Sequence, residues 1–131
     1  DKDIRWKQRF KNFKKAFALL QGALQIPHPD ITQKAGIIQF FELSFELAWK
    51  TLKDYLEEEG FSDIKGPKSA IKQAYKAGLI DYGEVWQQVL DSRNLMAHTY
   101  NEKVADETEK AIRKRYVKLL DSFNATMEKN A

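Results

Sequence analysis

The stretch Trp6-Lys7-Gln8-Arg9-Phe10-Lys11-Asn12-Phe13-Lys14-Lys15-Ala16-Phe17-Ala18-Leu19-Leu20-Gln21-Gly22-Ala23-Leu24 decides the fold class. Its apolar anchors Trp6, Phe10, Phe13, Phe17, Leu20 and Leu24 step by four, three, four, three and four. That rhythm puts them on one stripe of an α-helix and does not suit the two-residue period of a strand. Lys7, Lys11, Lys14 and Lys15 occupy the opposite face. Pro27-His28-Pro29 stops the helix near Gln25, because each proline bars its predecessor from the helical region. His28, between two prolines, reads as a solvated turn residue.

The same period continues downstream. Asp30 or Thr32 can cap a second helix, along which Ile37, Phe41, Phe45, Ala48, Leu52 and Tyr55 form a stripe as far as Gly60, a natural residue to follow a helix end. Ile38, Phe40, Leu47, Trp49 and Leu56 widen the stripe, so more than one partner must cover this helix and it should be central. Pro67 opens a short third helix that Gly78 closes. Tyr82, Trp86, Val89 and Met96 define a fourth. After a break around Thr99 to Asn101, the residues Val104, Thr108, Ile112, Tyr116, Leu119, Phe123 and Met127 mark a last long helix. With no strand candidate, no repeat and no linker, the expectation is an all-α, antiparallel up-and-down four-helix bundle with a short extra helix, in one domain spanning 1–131.

Composition narrows the function classes. The chain has 131 residues, 43% hydrophobic and 31% charged, which is ordinary for a globular domain able to bury its own core. Zero Cys excludes a disulfide framework, a cysteine nucleophile and any thiolate metal site. Apolar runs such as Ala16 to Leu20 fall far short of the roughly 20 residues of a membrane span. No secretory signal opens the sequence, so a cytoplasmic protein is expected. A net charge of +3 permits RNA as a partner without demanding it. No Gly-rich phosphate loop occurs, and no metal or cofactor is expected.

Chemistry concentrates in Asp91-Ser92-Arg93-Asn94-Leu95-Met96-Ala97-His98-Thr99-Tyr100, where His98 is expected at the end of the fourth helix. Helix period places Arg93 on the stripe of Val89 and Met96, where a guanidinium needs an anionic or dipolar partner. Asn94 and His98 are one turn apart, whereas Arg93 and His98 are rotated by about 140° on a straight helix. Either the helix loosens near His98 or a second copy of the chain completes the group across a two-fold axis. An imidazole titrating near neutrality and an arginine suit phosphodiester cleavage of RNA without a metal: one moves a proton, the other offsets charge on phosphate. The structural alternative pairs Arg93 with Glu42, Glu46 or a helix carbonyl and leaves His98 favouring a helix dipole. Glu46, four before Lys50, is expected to form a helix salt bridge, and Trp6, Trp49 and Trp86 read as core or interface anchors.

Arg93 to Tyr100 resembles the Arg-x4-His-x-Tyr signature of the HepT-like branch of the HEPN superfamily. Phe41-Glu42-Leu43-Ser44-Phe45-Glu46-Leu47-Ala48-Trp49-Lys50-Thr51-Leu52-Lys53-Asp54-Tyr55-Leu56, with Gly66-Pro67 and Gly78-Leu79-Ile80, resembles the nucleotidyltransferase substrate-binding protein family within that group. The resemblance covers roughly residues 6 to 125. It implies a helical-bundle homodimer encoded beside, and assembled with, a minimal MNT-type nucleotidyltransferase in a two-component system of the toxin–antitoxin kind. It further implies Arg93 and His98 as ribonuclease residues at the dimer groove, and Tyr100 as the hydroxyl the transferase modifies with adenylyl groups; Asn94, one turn before His98, is the supporting residue expected from the spacing. The Gly-Ser and paired-Asp pattern of the transferase itself is absent, so this chain is expected to be its partner. The alternatives are a metal-independent endoribonuclease toxin and an accessory domain that presents a small substrate. Independently of the resemblance, the aromatic surplus of helices one and two suggests a homodimer, because unburied patches of that kind mark interfaces.

Overall fold

In the computed structural model, which describes residues 5–92, 97–98 and 100–131, the opening stripe forms α1 (Arg5–Ala23). Trp6, Phe10, Phe13, Phe17 and Leu20 are all buried, and Phe13 stands edge-on to Phe123 with ring centroids 4.8 Å apart. The longest helix, α2 (Ile31–Glu58), begins at Asp30. There the Asp30 carboxylate accepts from the Gln33 N–H at 2.8 Å while the Gln33 side chain accepts from the Asp30 N–H at 2.9 Å. This reciprocal pair satisfies two donors that a helix start otherwise leaves open.

Both glycine stops work through the same geometry. Gly60, at φ 102°, follows α2 and lets the Phe61 N–H return to the Leu56 carbonyl at 3.0 Å. Gly78, at φ 76°, does so after α3 (Pro67–Lys76), with the Leu79 N–H on the Ala74 carbonyl at 2.9 Å. A left-handed residue is needed in each case, and glycine adopts it without steric cost. Between them Ile64 is buried and fastens the connection to the core.

The chain continues through α4 (Gly83–Asp91), α5 (Glu102–Ala111), a π-helical turn (Ile112–Tyr116) and α6 (Val117–Asn130). All described regular structure is helical, and the fold is an all-α bundle. As expected, α2 is central: it packs against α1, α3, α5 and α6. One continuous core runs from Trp6 to Met127 and includes all three tryptophans.

Two details depart from the sequence reading. Tyr82 is not part of the fourth helix stripe; it precedes α4 in the left-handed region at φ 60° and leaves 55% of its surface exposed. Met96, assigned to that same stripe, lies outside the described residues. The last helix is interrupted by the π turn. Val104, Thr108, Ile112 and Tyr116 step by four three times in succession, a drift of about 40° per step on an ordinary α-helix. The wider π turn takes up that drift and returns Leu119, Phe123 and Met127 to the core.

The aromatic surplus expected to demand a second chain is absorbed within one. Trp6, Phe10, Phe13, Phe17, Phe41 and Phe45 are covered by one another, by Tyr116, Trp86 and Phe123. The physical reason is the central α2, whose broad stripe receives α1 on one side and the last helices on another.

Candidate active and modification site

The connection from α4 to α5 carries the candidate site, and its two ends are fastened. At one end the Ser92 N–H caps α4 through the Gln88 carbonyl at 3.0 Å, and Gln87 donates its side-chain N–H to Asp91 at 3.2 Å. At the other, Asn101 caps α5 by accepting from the Lys103 and Val104 N–H groups at 3.0 and 3.3 Å. The Asn101 N–H itself closes a turn on the His98 carbonyl at 3.0 Å. Within α5, Asp106 receives the Lys34 ammonium of α2 at 2.5 Å, so the helix start beside the site is tied to the central helix. That hydrogen bond with Asp106 holds the Lys34 ammonium above the ordinary lysine range, against a smaller desolvation effect.

His98 and Tyr100 lie in this connection just before α5. His98 therefore sits in a turn, not in α4, whose helical bonding stops at Asp91 and Ser92. Its Nδ1 is 3.2 Å from the Tyr100 hydroxyl, with the rings edge to face and their centroids 5.7 Å apart. With the imidazole proton on Nε2, Nδ1 accepts from the phenol. Tyr100 is 81% exposed, whereas Tyr55 is half-buried and Tyr116 is buried. Burial, with Glu59 and Glu58 nearby, pushes the Tyr55 hydroxyl above the usual phenol range. Arg93 and Asn94 lie outside the described residues, so their relation to His98 remains the sequence expectation stated above.

Beside α4, Phe41 and Phe45 floor a cleft of about 330 Å³ that Glu42, Leu43, Glu46 and Val89 border. Glu46 accepts the Trp49 indole N–H at 3.1 Å. The Lys50 ammonium expected to bridge Glu46 lies 5.8 Å from the Trp49 ring centroid. Among the described residues, no group of three or more His, Asp or Glu side chains is placed to hold a metal ion.

A second feature was overlooked in the sequence. Lys68, Lys72 and Lys76 line a groove of about 860 Å³ between α3 and α4, together with Tyr75 and Tyr82. The four-residue lysine spacing on a short helix was the available signal.

The bundle, with the exposed His98–Tyr100 pair just before its last long helical run, defines a small all-helical protein. Residues 8–129 match the model of the family described as nucleotidyltransferase substrate binding protein like, and the chain belongs to that family. A relative described as a probable ribonuclease HepT, from Haemophilus influenzae, is 36% identical over 84 residues, or 59% of this chain and 58% of the relative. The chain thus spans under two thirds of that curated relative's length. A crystal structure of a protein from Thermus thermophilus superposes with a TM-score of 0.76 at 30% identity, covering 85% of this chain and 94% of that one. No described helix is long and apolar enough to cross a membrane.

Proposed function

We propose that the protein is the helical partner of a minimal MNT-type nucleotidyltransferase in a cytoplasmic two-component system, and that Tyr100 is the residue the transferase modifies. The observation that carries this reading is the 81% exposed Tyr100 hydroxyl, 3.2 Å from an imidazole nitrogen able to take its proton. In the transfer, the Tyr100 oxygen attacks the α-phosphorus of ATP and forms a new P–O bond. The bond from that phosphorus to the bridging oxygen breaks, pyrophosphate leaves, and the phenolic proton passes to His98 Nδ1. ATP and its metal ion are held by the partner, and the acceptor side needs only an accessible, oriented hydroxyl.

A second reading, supported by the ribonuclease name of the Haemophilus relative, is the state before modification. A homodimer brings Arg93 and His98 of two chains to one groove. There the 2′-hydroxyl of RNA attacks the adjacent phosphorus, its proton is taken by an imidazole, and the 5′-oxygen leaves with a proton returned to it. The products are a 2′,3′-cyclic phosphate and a 5′-hydroxyl end, with no metal required. An adenylyl group on Tyr100 then sets a phosphate beside His98, occupying the place an RNA phosphate would take and favouring the protonated imidazole.

The test is to incubate the chain with the neighbouring transferase, ATP and magnesium, then locate the added mass by peptide mass spectrometry. An adenylyl adduct on the peptide bearing Tyr100, with loss of RNA cleavage, is expected. A transferase that binds tightly and leaves Tyr100 unmodified would favour the accessory domain that presents a small substrate.

A further inference from the structure

The groove between α3 and α4 is lined by none of the described residues of the His98–Tyr100 segment. Lys68, Lys72 and Lys76 rise along one face of α3 at about 6 Å per step of four residues, comparable with the spacing of successive phosphates in an extended single strand. All three are exposed, and among the described residues none is paired with a carboxylate. Beside the lysines, Tyr75 on the same helix and Tyr82 just before α4 leave 59% and 55% of their surfaces open.

This exposure is built into the backbone. Tyr82 holds a left-handed conformation at φ 60°, which costs free energy for a residue with a side chain. The next residue, Gly83, starts α4, and a Cβ there would meet the Tyr75 ring at 3.0 Å. Close approach of the Tyr75 ring to the Gly83 backbone fixes one aromatic face, and the turn at Tyr82 sets the other ring out in solvent beside it. Neither ring contributes to the core cluster.

We propose that this groove binds single-stranded RNA, with bases stacked on Tyr75 and Tyr82 and phosphates on Lys68, Lys72 and Lys76. Unpaired cations in a row with open aromatic faces meet the two needs of sequence-tolerant single-strand binding: charge along the backbone and a π surface for each base. A duplex hides its base faces and gains nothing from the tyrosines. Gln87 also lines the groove, and its side chain donates to Asp91, the last residue of α4. Binding rests on different residues from the proposed cleavage and modification, and it is read without either.

The experiment is fluorescence anisotropy of a fluorescein-labelled RNA of about ten nucleotides, within the usual reach of one single-strand site. It uses full-length protein carrying His98→Ala, so that no strand is cut, with a chelator present. Against this parent, Tyr75→Leu should weaken binding at least about fivefold, the lower end of what one stacked base contributes. Lys68→Ala with Lys72→Ala should weaken it further and reduce the slope of log affinity against log salt by roughly one per lysine. Circular dichroism should report the same fold for each variant, since these side chains are exposed. Equal affinity of the parent and all variants would overturn the proposal, as would equal binding of a duplex of the same length. Saturable binding of ATP in the groove with no binding of the strand would overturn it in favour of a small-nucleotide pocket.

Discussion

The Nδ1 of His98 and the hydroxyl of Tyr100 are 3.2 Å apart across a single intervening residue, in the turn that the Asn101 cap closes before α5. One imidazole nitrogen faces the phenol, and in the proposed cleavage the other would act on RNA. Tyr100→Phe should abolish adenylylation and leave RNA cutting in place, because it removes only the acceptor oxygen. His98→Ala should reduce cutting by at least about 10²-fold, the scale of a lost acid–base group, and slow modification of Tyr100 as well. Parallel assays of cleavage by gel and modification by mass spectrometry separate the two. Loss of cutting in Tyr100→Phe would show that the hydroxyl takes part in cleavage.

The expected homodimer now rests on the family resemblance, since one chain covers its own aromatic stripes. Light scattering over micromolar concentrations should give about twice the chain mass of 15.3 kDa. A monomer that persists as concentration rises would remove the cross-axis arrangement of Arg93 and His98, and with it the ribonuclease reading.

Phe13 is fully buried and touches Phe10, Phe17 and Phe123, which joins α1 to α6. Phe13→Ala should cost about 3–5 kcal/mol, through lost transfer free energy and the cavity left between helices that cannot fully close it. Urea unfolding followed by circular dichroism measures this as a fall in midpoint at unchanged slope.

Much of this architecture was legible because the helices are written as apolar stripes, and Phe13, Phe41 and Phe123 each fall where the period places them. The helix boundaries were legible for the same local reason: Asp30 at a start, and Gly60 and Gly78 after ends, act through backbone geometry that their own side chains, or the lack of one, determine. Tyr82 was misplaced because its left-handed backbone depends on Gly83 and on the Tyr75 ring of a different helix, which no local period encodes. The Trp49 indole N–H on Glu46 was not foreseen, because a helix offers a carboxylate both its i+3 and i+4 neighbours. At the site, Asn101, Tyr100 and the turn were readable from residue type. The closeness of His98 to Tyr100 was not, since it required the chain to leave the helix before His98.

Asp54 is buried on α2, and its carboxylate meets the Arg9 Nε of α1 at 3.1 Å. Arg9→Ala leaves that carboxylate without its cation in a place water reaches poorly, at a cost of about 1–3 kcal/mol. Adding Asp54→Leu to Arg9→Ala should recover most of the loss, because an apolar side chain carries no desolvation penalty there. Thermal melts of the single and double variants check this, and a double variant as unstable as the single would assign the loss to packing of the Arg9 stem.

The ion pair between Lys34 and Asp106 links α2 to the helix that positions His98 and Tyr100, and its pH dependence has a definite sign. Because hydrogen bonding to Asp106 raises the folded-state pKa of Lys34, the folded protein holds this proton more tightly than the unfolded chain does. The stabilisation is therefore fully present below the ordinary lysine pKa of about 10.4, and it is lost as pH rises through the raised folded value. Asp106→Asn removes the charge and keeps the shape. Its melting temperature should lie below that of the unaltered protein by a constant margin from neutral pH to about pH 9, and the margin should close above the lysine range. High salt should narrow the margin at every pH, since much of the pair is open to solvent. A margin that stays constant through the lysine range, or that widens, would show that Asp106 stabilises α5 by some route other than the Lys34 ammonium.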